Sequence, residues 1–296
     1  MNSRYEQQIR MILPLVRSMQ HRVPLAISEK LLKRSVARLK LGVHISREAL
    51  LFNGVSCQRL VPENCSTDRV LLYFHGGGFV FGLSAMHVKM GAYLAQKIRA
   101  TVLMVDYRLA PTYPFPAALD DCLTAYRWIL DQGIPAKHIV LAGDSAGGNL
   151  VITTIVSLRE KGVLLPAAAA CLSPAVDLVP KAGDENQVND PLLSPQAIKF
   201  YSKSYTGTDD PENPLISPVY GDLSGLPPLL VHVGEDEMLR VDAVRLVDLA
   251  RARGVDARLK IYPAMWHVWQ LFMELPQALA SLDEIAGFLS SQLDRG

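Results

Sequence analysis

Residues 138–150, HIVLAGDSAGGNL, combine a short apolar run, a Gly-x-Ser-x-Gly motif and the start of a helical pattern. That order predicts a strand, a tight turn and a helix, with Ser145 at the apex of the turn. So sharp a turn strains its central residue and brings strand and helix together, so only very small neighbours fit. The serine hydroxyl would then lie at the carboxyl edge of a sheet, beside the free N–H groups of a helix start. The motif alone leaves an ordinary glycine-rich turn as an alternative.

Short apolar segments alternate with helical patterns on both sides of this turn. The predicted strands are 50–52, 55–61, 70–74, 101–105, 139–142, 167–172, 229–233 and 258–262, and the predicted helices are 85–98, 120–130, 150–160, 241–253 and 279–293. Such alternation predicts an α/β fold: a mostly parallel, twisted sheet of about eight strands with helices on both faces. The first two strands flank an Asn-Gly turn and should form an antiparallel hairpin at one edge.

Two segments fall outside this alternation. Residues 1–45 are helix-like, and about fifty residues between Asp177 and Pro227 are rich in Pro, Asp, Asn and Ser. A structureless loop of that length is uncommon inside a compact domain, so the second segment should contain its own elements. We therefore predict a helical cap formed by residues 1–45 and 183–216, and a catalytic core formed by residues 46–182 and 217–296.

Composition excludes several classes of protein. The net charge of +1 over 296 residues, 20% of them charged, offers no electrostatic basis for binding nucleic acid. No apolar run approaches the roughly 18 residues of a membrane span, so integral membrane association is not expected. The cysteines lie far apart without zinc-ligand spacing, and the N-terminus lacks a signal-peptide core, which together predict a cytoplasmic location. Residues 28–41 form a basic amphipathic helix that could lie on a membrane surface, although a helix docked on the protein is the favoured interpretation.

A serine nucleophile needs a base, and the order of residues along the chain restricts the candidates. In hydrolases with this turn the order is serine, then acid, then histidine. Of seven histidines only His232 and His267 follow Ser145. His232 lies inside an apolar strand, which favours a packed core imidazole. His267 lies in a loop just after a strand, at the same sheet edge as Ser145, and is the better base.

The acid should also lie at a strand end, before His267. Residues 235–237, Glu-Asp-Glu, follow the predicted strand 229–233. Asp236 is the preferred candidate because a shorter side chain suits a fixed imidazole partner. Glu235 and Glu237 remain open, and Asp177 is a further candidate.

Donors for a tetrahedral oxyanion are predicted from a second glycine-rich segment. Residues 75–79, HGGGF, follow directly on an apolar strand. The backbone N–H groups of Gly76 and Gly77, with that of Ala146, would form the oxyanion hole. A phosphate-binding loop is the alternative, but no Gly-Lys-Ser/Thr follows and no helix starts at the glycines. His75 would shape the loop through hydrogen bonds.

Together these segments resemble the hormone-sensitive-lipase-type α/β-hydrolases, in the branch of bacterial family IV esterases that carry GDSAG. The matching motifs are HGGG at 75–78, DYRLAP at 106–111, YPFPA at 113–117, GDSAGG at 143–148, Asp236, and HV at 267–268, within a match over about 69–270. The resemblance implies a triad of Ser145, Asp236 and His267, the oxyanion hole above, and a cap built from the N-terminal helices and the insertion. Thr112 and Glu237 depart from the family pattern, which usually has Glu and Pro at these positions.

The expected function is that of a serine carboxylesterase that hydrolyses short- to medium-chain acyl esters through an acyl-enzyme. The expected partner is a small-molecule ester, and no metal or organic cofactor is required. Five aromatic residues, Phe79, Phe81, Phe200, Tyr201 and Trp266, are candidates for lining the substrate pocket, with core packing as the equal alternative.

Other functions remain open at the level of sequence. An amidase, a lactonase or a carbamate hydrolase would use the same triad. A non-catalytic small-ligand receptor, as in the plant gibberellin receptors that resemble this family, predicts a missing catalytic residue, yet His267 is present. A homodimer through an edge strand or the last helix is a further hypothesis that needs a size measurement.

Overall fold

Eight strands form one sheet in the computed structural model, which describes residues 4–20, 24–42, 44–180 and 190–295. The strands are β1 (Ile45–Phe52), β2 (Val55–Pro62), β3 (Ser66–Phe74), β4 (Ala100–Asp106), β5 (Ile139–Asp144), β6 (Ala168–Leu172), β7 (Leu229–Gly234) and β8 (Ala257–Tyr262). The helices are α1 (Arg4–Met19), α2 (Leu25–Arg38), α3 (Ala85–Ile98), α4 (Ala117–Asp131), α5 (Ala146–Glu160), α6 (Pro195–Thr206), α7 (Arg240–Ala252) and α8 (Pro276–Leu293).

The strand order is β1-β2-β4-β3-β5-β6-β7-β8. β2 is antiparallel to both of its neighbours, and the remaining pairs are parallel. The predicted α/β fold, with a mostly parallel sheet and an antiparallel hairpin at one edge, is therefore confirmed. The chain passes from β3 to β4 on one side, whereas β5 pairs with β3 on the other. The loops after β3 and β5 thus diverge at a switch point, where ligands of open parallel sheets usually bind.

Helices cover both faces of the sheet, which explains the continuous apolar run of its central strands. In β3, Val70, Leu72 and Phe74 pack on the face covered by α4, α5 and α7. Leu71 and Tyr73 pack on the opposite face, with α3 and α8. A strand whose side chains alternate between two buried faces must be apolar at successive positions, as residues 70–74 are.

Five of the described elements begin three or more residues earlier than the sequence pattern predicts: β1, β3, α4, α5 and α8. β3 starts at Ser66 and includes the polar residues before Val70. Ser66 pairs with Ala100 of β4, and the register of the pair shifts between Ser66 and Val70. α5 starts at Ala146 although glycines occupy its first turn and disfavour a helix. Tertiary crowding explains why glycines occupy this turn: a Cβ on Gly147 would lie 2.0 Å from the carbonyl oxygen of Phe74.

Three helices lie in the described part of the predicted cap segments: α1, α2 and α6. α1 packs Ile9 and Leu13 into a cluster with Trp266 and Trp269, and α6 buries Tyr205 against the core. The division into cap and core remains a prediction. Residues 1–3, 21–23, 43 and 183–189 of the predicted cap lie outside the described residues, as do residues 181–182 and 296 of the predicted core. Among the helices that the structure describes, none is both long and apolar enough to cross a membrane.

The docking of α2 is shallower than its favoured interpretation implies. Val36 packs against the core cluster around α3 and α8, but α2 has no fully buried residue. Leu31, one of the apolar residues in the amphipathic pattern of residues 28–41, is 57% exposed. Leu32 lies one turn before Val36 and so shares its face of the helix. Leu31 is rotated by about 100° from Leu32 around the helix axis and therefore lies away from that face.

The same substitution should have opposite effects on stability at two helical glycines. Gly147→Ala should lower the free energy of unfolding by about 2 to 3 kcal/mol, because its Cβ would overlap the backbone of Phe74. Gly287→Ala in α8 should raise it by up to about 1 kcal/mol, since that Cβ meets no atom within 4 Å and alanine favours a helix. Urea unfolding of both variants measures the difference, and equal effects would contradict the crowding at Gly147.

Candidate active site

Ser145 lies in the strained turn between β5 and α5. Its backbone angles are φ 52° and ψ −117°, outside the regions that side-chain-bearing residues favour. A Cβ on Gly143 would lie 2.5 Å from the backbone of Gly147, which fixes glycine on both sides of the turn. The Ser145 N–H donates to the carbonyl of Leu172 at 2.8 Å, so the neighbouring strand β6 also holds the turn.

His267 connects Ser145 to a buried carboxylate. Its Nε2 lies 2.8 Å from Ser145 Oγ, and its Nδ1 lies 2.7 Å from Oε2 of Glu237. The other oxygen of Glu237 accepts hydrogen bonds from Ser173 Oγ at 2.9 Å and from the Gly234 N–H at 2.5 Å. Glu237 is fully buried and His267 nearly so, and these contacts therefore fix both side chains.

The prediction that Asp236 contacts His267 is wrong. The Asp236 carboxylate is 41% exposed and lies 3.6 Å from the guanidinium of Arg10 in α1. The turn after β7 explains the difference, because the Asp236 N–H donates to the carbonyl of Met265 and directs the carboxylate outward. The next residue points inward, and the longer side chain of Glu237 spans the distance to His267.

The other candidates for the base and the acid have separate partners. His232 is buried in β7, as predicted, with its Nδ1 2.8 Å from Ser281 Oγ. Glu235 accepts a hydrogen bond from the Ala264 N–H at 3.0 Å. Asp177 pairs with Arg245 at 3.0 Å.

Burial and the carboxylate act in opposite directions on His267. Burial alone disfavours the imidazolium, but the hydrogen bond and negative charge of Glu237 outweigh it and raise the pKa of His267 above its usual value. Burial raises the pKa of Glu237 too, although the hydrogen bond from His267 opposes this. The pair is therefore disposed to take up a proton at the imidazole.

The glycine-rich loop after β3 is held by a second buried carboxylate. Oδ1 of Asp144 accepts hydrogen bonds from the Gly76 N–H at 2.9 Å and from Tyr73 OH at 2.7 Å. His87 Nε2 lies 3.3 Å from Oδ2. Burial alone would raise the pKa of Asp144, but His87 and Tyr73 outweigh it and lower that pKa. Asp144 is therefore an ionised anchor between the turn and the loop.

The assignment of Gly76 to the oxyanion hole is wrong for the same reason: its N–H is already donated to Asp144. Gly77 and Gly78 line the cavity that contains Ser145, with φ of +116° and +61°. Ala146 is the first residue of α5, directly after Ser145. The sequence contains no signal that separates the three glycines, since the contact with Asp144 is tertiary.

His75 shapes the loop through its own contacts. Its Nδ1 lies 2.7 Å from the carbonyl oxygen of Gly76, and its ring stacks on Tyr107 with centroids 4.3 Å apart. The Tyr107 hydroxyl donates to the His75 carbonyl at 2.7 Å. Burial, together with repulsion from His87, lowers the pKa of His75 to about 4, so its ring stays neutral.

A cavity of about 600 Å³ opens beside Ser145 and His267. Phe79, Phe81 and Tyr201 line it, as predicted. Phe200 and Trp266 do not line it, contrary to prediction. Phe200 packs on the outer side of Tyr201, with ring centroids 5.8 Å apart, and Trp266 is fully buried in the cluster beneath α1.

Comparisons with known proteins agree with this fold. A family profile described as alpha/beta hydrolase fold matches residues 71–271. An acetyl-hydrolase of Streptomyces hygroscopicus is 38% identical over 77% of this chain and 77% of its own. An esterase of Acinetobacter venetianus is 36% identical over 78% of each chain. A crystal structure of an esterase from the bacterial hormone-sensitive lipase family has a TM-score of 0.91 and 38% identity, and the match covers 99% of this chain and 100% of that one.

The fold and these relatives define the class of protein as an α/β-hydrolase. Within that class the chain belongs to the hormone-sensitive-lipase-like esterases, and its enzyme class is that of the carboxylesterases.

The protonation states of the histidines test this geometry directly. At about pH 5.5 we expect the ring of His267 to be cationic, because its pKa is raised above the usual 6.5. His75 and His232, with pKa values lowered to about 4 by burial, should be neutral at that pH. Nitrogen chemical shifts of the labelled imidazoles measure all three. A neutral His267 at pH 5.5 would contradict its contact with Glu237.

Proposed function

We propose that the protein is a serine carboxylesterase that hydrolyses short- to medium-chain acyl esters through Ser145, His267 and Glu237. One observation carries the proposal: a continuous hydrogen-bonded chain from Glu237 through His267 to Ser145, with links of 2.7 and 2.8 Å. A serine hydroxyl becomes a nucleophile when a histidine takes its proton and a carboxylate stabilises the resulting imidazolium.

The proposed reaction proceeds in two acyl transfers. His267 takes the proton of Ser145 as Oγ attacks the ester carbonyl, and the tetrahedral intermediate forms. His267 then gives this proton to the departing alcohol, which leaves an acyl-enzyme on Ser145. Water attacks the acyl-enzyme with His267 again acting as the base, and collapse of the second intermediate releases the acid and restores the serine.

The oxyanion of each intermediate would be stabilised by the backbone N–H groups of Gly77, Gly78 and Ala146. This assignment keeps two of the donors expected from the sequence and replaces Gly76, whose N–H is bound to Asp144. Each such donor contributes on the order of 3 kcal/mol to the transition state. Asp144 acts indirectly, as a positioning residue that holds the loop.

Several observations support a small apolar acyl group. The cavity beside Ser145 holds about 600 Å³, and Phe79, Phe81 and Tyr201 are among its lining residues. A Cβ on Gly78 would lie 2.5 Å from Tyr201, so this tyrosine packs directly over the loop. The related proteins named acetyl-hydrolase and esterase fit such substrates.

The first test is a p-nitrophenyl ester series from acetyl to palmitoyl. The rate should be highest among the short and medium chains, and Ser145→Ala should reduce kcat by at least about 10⁴-fold. An amide, a lactone and a carbamate belong in the same panel, because the same residues would act on them. Absence of serine-dependent ester hydrolysis at every chain length would refute the proposal.

The identity of the acid is tested with neighbouring isosteric variants. Glu237→Gln should lower kcat by about 10³- to 10⁴-fold, because the imidazolium loses its negative partner. It should also move the acid limb of the kcat/KM profile to lower pH, since Glu237 raises the pKa of His267. Asp236→Asn should leave both quantities within about twofold, because that side chain faces Arg10. A larger loss in Asp236→Asn than in Glu237→Gln would reverse the assignment.

A further inference from the structure

The outer surface of α1 and α2 is apolar to an unusual degree. Seven of the fifteen large hydrophobic side chains that are exposed in the described residues lie on these two helices: Met11, Ile12, Leu15, Val16, Met19, Ile27 and Leu31. The other eight are spread over the rest of the described chain, where single exposed apolar residues are normal. A concentrated patch instead marks an interaction surface. We call these seven residues the apolar cap face.

α1 is apolar on two sides, which a helix docked on a protein does not need. Ile9 and Leu13 face inward and pack with Trp266. Met11 and Leu15, one turn apart on another side, are 73% and 62% exposed. The inner side is sufficient to hold the helix, so the outer side is left for a further contact.

Basic residues surround the apolar cap face. Residues 1–42 contain nine Lys and Arg but only two Asp and Glu, a net charge of +7, whereas the rest of the chain carries −6. Along α2, Ile27, Leu31, Arg34 and Arg38 are spaced by four, three and four residues and form one exposed stripe. Arg4 is exposed at the start of α1, so cations lie toward the outer ends of both helices.

The apolar cap face also borders the entrance of the cavity. Val16, Met19 and Leu31 belong to the face and line the same cavity as Ser145 and His267. An amphiphilic ester held at that face would therefore have its apolar part beside the entrance.

We propose that α1 and α2 lie on an anionic lipid surface, with the apolar cap face inserted among the acyl chains and the cations at the headgroups. Apolar side chains flanked by Lys and Arg are the pattern of helices that lie in a membrane interface. A second copy of the chain fits less well, because a symmetric contact would bring two segments of net charge +7 together. The supply of lipid-borne esters to the cavity rests on the proposed function, whereas binding to the surface does not.

The test is co-sedimentation of the Ser145→Ala protein with vesicles, because an inactive protein separates binding from turnover. We expect at least tenfold stronger partition into phosphatidylcholine vesicles that contain phosphatidylglycerol than into phosphatidylcholine alone. Adding Met11→Ser and Leu15→Ser should weaken partition by more than tenfold. Adding Arg34→Gln and Arg38→Gln instead should weaken binding to anionic vesicles on the order of thirtyfold, since each cation near the surface contributes about 1 kcal/mol.

Matched controls carry the same changes elsewhere. Leu51→Ser with Leu164→Ser replaces side chains that are 74% and 73% exposed, and should change partition by less than twofold. Arg127→Gln with Lys161→Gln removes two exposed charges outside the cap face and should likewise have little effect on partition. In the active protein, which retains Ser145, the double variant Met11→Ser with Leu15→Ser should hydrolyse p-nitrophenyl acetate at a rate within about twofold of the unsubstituted protein. Such a result would show that the fold is intact.

Three results would overturn the proposal. The first is that the Ser145→Ala protein with an unchanged apolar cap face does not bind anionic vesicles. The second is that the cap-face variants and the control variants bind these vesicles equally. The third is a dimer in light scattering that Met11→Ser with Leu15→Ser dissociates, without vesicle binding, which would assign the face to a second copy. Failure of ester hydrolysis with intact vesicle binding would refute the proposed function alone.

Discussion

The close contact between β3, β5 and the first turn of α5 is the constraint on which the rest of the site depends. A Cβ on Gly147 would lie 2.0 Å from the Phe74 carbonyl, and one on Gly143 would lie 2.5 Å from the Gly147 backbone. This contact excludes a side chain at either glycine. Ser145 is therefore held at φ 52° and projects from the turn toward His267. Strain of this kind persists because surrounding packing compensates for it.

The same contact places Asp144 where it can join two loops that are far apart in sequence. Asp144 is the last residue of β5, and it receives the Gly76 N–H from the loop after β3. That N–H is bound to the carboxylate, and the two following glycines, Gly77 and Gly78, line the cavity. The position of the loop relative to Ser145 is thus fixed through one buried side chain, before any substrate binds.

The sequence predicts what depends on local pattern and fails where tertiary contacts decide. Strands are found from apolar runs because both faces of the sheet are covered. The chain order of serine, acid and histidine leaves His232 and His267, and the position of His267 in a loop just after a strand identifies it as the base. The choice between Asp236 and Glu237 depends on a backbone hydrogen bond to Met265 and on side-chain length, neither of which leaves a pattern. Likewise, nothing in HGGG shows which glycine N–H is donated to Asp144.

Two buried carboxylates with opposite pKa shifts organise the site: Asp144 holds the glycine-rich loop, and Glu237 holds His267. Asp144 has a lowered pKa, because His87 and the hydroxyl of Tyr73 outweigh its burial, and it acts as a fixed anion. Glu237 has a raised pKa, because burial outweighs its donors. A carboxylate whose charge is incompletely compensated interacts strongly with a cation formed beside it. The stabilisation that Glu237 gives to His267 is therefore largest when the imidazole is protonated, the form that exists while an oxyanion is present.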